Sequence, residues 1–133
     1  MRRRLVHSTL ILACLAIAAT ASAQFGHPLK GSWSGDWGPD KTNRTRVLLD
    51  IGWDGKALNV VVNPGANAVT LPKTTVNFDT WAVRFEGDGK DKAGATVHYV
   101  IDGKLENLGA YQRFITGTWT QGPAKGDFKL TRN

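Results

Sequence analysis

From Gly31 onward, apolar and polar residues alternate in short runs, and no segment sustains apolar spacing at i, i+3 and i+4. That pattern leaves no room for a long helix. In Arg46–Trp53, Val47, Leu49, Ile51 and Trp53 fall on one face, with Arg46 and Asp50 on the other. Asp54-Gly55 follows, a dipeptide suited to positive φ and so to a hairpin, and Leu58–Val62 returns. Asn63-Pro64-Gly65 ends that strand. The same reading gives short strands at Ala68–Leu71, Trp81–Glu86, Thr96–Ile101, Phe114–Thr120 and Asp127–Arg132, with a turn at Asp88-Gly89. Together with a first strand at Gly31, these make about eight. Thr74–Phe78 is a candidate further strand, and Asp102-Gly103 reads either as a turn or as a bulge in one strand reaching Asn107.

Eight or so antiparallel strands with short turns must deal with their edges. The expected fold is therefore all-β, a small up-and-down barrel, because closure removes edges altogether. A β-sandwich is the alternative, less favoured because the hairpins run in sequence without an obvious long crossover.

The N-terminus has a different character. Arg2, Arg3 and Arg4 precede an apolar stretch from Leu10 to Ala19, and Ala21-Ser22-Ala23 has the small-x-small form of a cleavage site. Residues 1–23 thus read as a secretory signal, 24–30 as a leader and 31–133 as one domain, exported to the periplasm or secreted. Acylation at Cys14 is the competing reading. Bulky Leu12 and the apolar run continuing past the cysteine argue against it. Of the 133 residues, 110 remain after cleavage; without the three arginines the basic count falls from 17 to 14 against 11 acids, a net +3. A charge of that size makes no case for nucleic acid. Past the signal no apolar run is long enough to span a bilayer as a helix. Cys14 is the only cysteine, so the exported domain carries neither a disulfide nor a thiol nucleophile. Only His27 and His98 remain as imidazoles, too few for a zinc site, and no cofactor motif is present.

Gly31-Ser32-Trp33 opens the first strand and Phe128-Lys129-Leu130-Thr131-Arg132 closes the last. A G-x-W at the start with an arginine on the final strand resembles the calycin superfamily of lipocalins, fatty-acid-binding proteins and avidins. Gly117-Thr118-Trp119 with Gly126-Asp127-Phe128 adds a looser likeness to small exported bacterial lipocalin-like domains. The resemblance implies that Trp33 plugs one barrel end, that Gly31 keeps the wall thin beside it, and that Arg132 lies across the indole. Avidin's biotin-contacting residues have no counterpart at matching positions.

The aromatic residues are the candidate binding set. Trp37, Trp81, Phe85, Tyr99 and Trp119 all take inward parity, with Gly35 and Gly117 as gaps. Such a lumen would suit a small, flat apolar ligand, or the rings simply fill the core. His98 could act as a general base, but no nucleophile motif accompanies it, and a hydrogen-bonded strand histidine is the simpler reading. The expectation is a non-enzymatic exported barrel that binds a small hydrophobic ligand. The alternatives are an envelope interaction or protease-inhibitor domain with a filled core, its leader reaching into a cleft, and an enzyme without a recognisable motif.

Overall fold

A computed structural model describes residues 26–133; the signal segment, Cys14 and the cleavage site after Ala23 lie outside them. The described residues form nine strands: β1 (Gly31–Gly38), β2 (Thr45–Trp53), β3 (Leu58–Val62), β4 (Val69–Leu71), β5 (Lys73–Val76), β6 (Ala82–Lys90), β7 (Thr96–Glu106), β8 (Phe114–Gln121) and β9 (Ala124–Arg132). All pairings are antiparallel, in one sheet of order β4-β3-β2-β1-β9-β8-β7-β6-β5. The two ends of that order are successive pieces of one extended segment, parted only by Pro72. Its first half pairs with β3 and its second with β6. The sheet therefore curls into a nearly closed up-and-down barrel, compatible with a calycin-like fold, and not into a two-sheet sandwich.

The strand count exceeds the expected eight because Lys73–Val76 pairs as a strand of its own, while residues 77–81 turn. Asp102-Gly103 lies inside β7, which runs unbroken to Glu106. Asp88-Gly89 is not the expected turn either. Both residues belong to β6, and the reversal comes at Asp91–Ala95, where Asp91 N–H donates to the Ala95 carbonyl at 3.0 Å. Gly89 is there for space: a Cβ would meet the Val69 side chain at 2.7 Å and the Tyr99 ring at 3.0 Å. Gln121–Gly126 contracts to a two-residue hairpin at Gly122-Pro123, and β9 begins at Ala124.

The interior is apolar throughout. Trp33, Phe85, Leu49, Ile101, Ile115 and Leu130 are fully buried, and no polar or charged residue is buried among the described residues. No helix among them is long and apolar enough to cross a membrane.

The supposed gaps in the lumen are filled. A Cβ on Gly117 would fall 2.0 Å from the Asp102 carbonyl oxygen, and one on Gly35 would fall 1.9 Å from that of Lys129. Gly103 faces Gly117 across the β7–β8 pair, and the Phe128 ring reaches over it, 2.8 Å from where a Cβ would be. These glycines mark where neighbouring backbones close in and the sheet bends, a device for curving a small barrel.

Candidate functional site

The barrel has two different ends. At one, β1 begins and β9 finishes, and the leader folds back over the opening. Leu29 is fully buried there, and the Trp33 indole Nε1 donates to its carbonyl at 2.8 Å. Arg113 donates from NH1 to the Pro28 carbonyl at 2.9 Å. Residues 27–30 are therefore docked on their own barrel, not extended as a free arm.

Gly31, Trp33 and Arg132 meet at this leader end. Trp33 is the direct cross-strand partner of Arg132. The Arg132 Nε stands 2.9 Å from where a Gly31 Cβ would be, and Gly31 has φ +139°, a backbone region that favours glycine. The arginine thus crosses the wall at Gly31. The cation–π contact found among the described residues is a different one, Lys129 Nζ at 4.8 Å from the Phe114 ring centroid.

The five ring residues expected in a lumen separate. Trp37 and Trp119 stack at the far end, centroids 5.6 Å apart and planes 15° from parallel, with Phe128 edge-on to Trp119 at 6.0 Å. The Trp119 Nε1 donates to Gln121 Oε1 at 3.3 Å. Tyr99 is buried toward the same end, where burial raises its hydroxyl pKa, and Phe85 is fully enclosed near the middle. Trp81 alone goes to the leader end. It lies before β6, not in it, with φ +61°.

A left-handed tryptophan is unusual, and three backbone bonds hold it there. Trp81 N–H donates to the Asn77 carbonyl at 2.7 Å, Asn77 N–H to that of Ala82 at 2.9 Å, and Leu105 N–H to that of Trp81 at 2.9 Å. The turn lifts Phe78 to the rim, where it remains 61% exposed and stands edge-on to Trp81 at 5.5 Å. His27 of the leader lies 5.8 Å from Phe78 and 4.9 Å from Trp53, at the end of β2. His27, Trp53 and Phe78 frame a cleft of about 240 Å³ completed by Lys56, Ala57, Leu58, Thr74 and Val76.

The His27 Nδ1 accepts the Leu29 N–H at 3.1 Å, so its neutral form carries the proton on Nε2. Burial pushes its pKa below the ordinary histidine value. Sequence reading missed this cleft because it joins the leader and two turns to residues of β2, β3 and β5, and strand parity does not show that these come together. One sign was the aromatic residue Phe78 between Asn77 and Asp79.

His98 stands elsewhere, exposed on the outer face of β7. Its Nδ1 lies 2.7 Å from Asp88 Oδ1 and its Nε2 3.2 Å from Glu86 Oε1. Both carboxylates, Asp88 foremost, raise its pKa, and His98 in turn lowers that of Glu86. It is the hydrogen-bonded strand histidine. Among the described residues no group of three or more His, Cys, Asp or Glu side chains is placed to hold a metal ion. Neither a family model, a curated protein nor a solved structure matches the chain.

Proposed function

We propose that this chain is an exported, non-enzymatic calycin-like barrel that binds a small hydrophobic or aromatic ligand at its leader-end rim and not in its lumen. The carrying observation is the cleft of about 240 Å³ framed by His27, Trp53 and Phe78. Export rests on the arginines at 2–4, the apolar stretch and Ala21-Ser22-Ala23. The lumen is a poor host because Trp37, Trp119 and Phe128 pack on one another there. The rim is a better one, because a large ring is kept in water by a braced, unusual backbone turn. The G-x-W and Arg132 at the leader end support the calycin likeness through their placement.

Phe78→Ala tests the reading, because an exposed ring can be removed without opening the core. Benzyl alcohol binding, followed by NMR titration, should weaken several-fold in Phe78→Ala and stay unchanged in Trp37→Phe. The opposite outcome overturns the rim site. A second reading, a protein partner at the same end, draws on Tyr111, fully exposed in the loop between β7 and β8. Tyr111→Ala separates the two, since it should leave benzyl alcohol binding intact.

A further inference from the structure

We infer that the rim cleft selects a one-ring aromatic carboxylate, held flat between Trp53 and Phe78 with its anionic end toward His27 and Lys56. This rests on the rim being the binding site, and it adds the ligand's chemical class. The walls set the shape: Trp53 and Phe78 are rings, and Leu58, Ala57 and Val76 are aliphatic. At about 240 Å³ the cleft lies below the roughly 300 Å³ where ligand pockets usually begin, so it suits one ring and not a lipid chain.

The polar side chains set the charge. His27 spends Nδ1 on the Leu29 N–H, leaving Nε2–H as a donor with no protein acceptor among the described residues. Lys56 sits in the turn between β2 and β3, where the Asp54 carboxylate fixes the backbone by accepting the Lys56 and Ala57 N–H groups, both at 2.8 Å. The Lys56 ammonium forms no ion pair within 4.0 Å among the described residues. Thr74 supplies a hydroxyl, and no carboxylate lines the cleft. Two nitrogen donors, one of them cationic, beside flat apolar walls are complementary to an anion carried on a ring.

The test is a set of three one-ring probes titrated into the full mature chain and followed by NMR: benzoate, benzyl alcohol and benzylammonium. Benzoate should bind in roughly the millimolar range or tighter, as so few atoms allow. It should bind about three- to tenfold more tightly than benzyl alcohol, with benzylammonium weakest. Lys56→Gln, at an exposed turn position, should remove most of the benzoate advantage over benzyl alcohol. Equal binding of all three probes, or a benzoate advantage that persists in Lys56→Gln, overturns the carboxylate class while the rim site stands. If no probe binds, the rim site itself falls, and this inference with it.

Discussion

The Trp33 indole donates its N–H to the Leu29 carbonyl at 2.8 Å, so the buried tryptophan of the first strand also holds the leader across the barrel mouth. The leader is thus part of the fold. Leu29→Ala should cost about 2–5 kcal/mol through lost burial and the cavity left behind. Trp33→Phe keeps a ring but leaves the Leu29 carbonyl unpaired, and should cost about 1–3 kcal/mol. Urea denaturation of the mature chain measures both. A leader that merely rests on the surface would leave the midpoint unchanged in Leu29→Ala.

Gly117 and Gly109 make a contrasting pair. A Cβ at Gly117 would collide with the Asp102 carbonyl and with Gly103 Cα, at 2.0 and 2.6 Å, whereas one at Gly109 meets nothing within 4 Å. Gly117→Ala should therefore destabilise by roughly 3 kcal/mol or more, or prevent folding, because only backbone movement relieves the clash. Gly109→Ala should stay within about 0.5 kcal/mol. Thermal melts of the two variants check this.

Much of the fold was legible in the sequence, because period-two alternation places Val47, Leu49 and Ile51 on one face whatever their partners are. What alternation does not show is why a glycine is present. Gly89 looks like half of an Asp-Gly turn, yet it makes room for β4 crossing beside β6. Gly35 and Gly117 look like gaps, yet backbone occupies the space. The rim was hidden for a related reason. Trp81 counts inward with Val83 and Phe85 by parity, but its left-handed φ breaks the strand and turns it toward the mouth. His27 is set by a fold-back of the leader that has no periodic signature.

The two histidines should respond to pH with opposite sign. His98 has its pKa raised by Asp88 and Glu86, so its contribution to stability is full below about pH 6.5 and is lost as pH rises through the folded value. His27 has its pKa lowered by burial, and protonation would set a second donor against the Leu29 N–H. Its contribution is present above the unfolded value of 6.5 and falls away as pH drops toward the folded one. Denaturation midpoints between about pH 5 and 8 read this out. In His98→Gln the remaining dependence should be a loss of stability toward acid, and in His27→Gln a loss toward base. The same slope in both variants contradicts the assignment.

The central claim is that binding occurs at the leader-end rim, and indole resonances report on it residue by residue. On titration with benzyl alcohol, the Trp53 side-chain signal should shift saturably. The signals of Trp37 and Trp119, stacked on each other at the far end, should stay in place. Saturable shifts at Trp37 and Trp119 with Trp53 unmoved would place the ligand in the lumen and contradict the account.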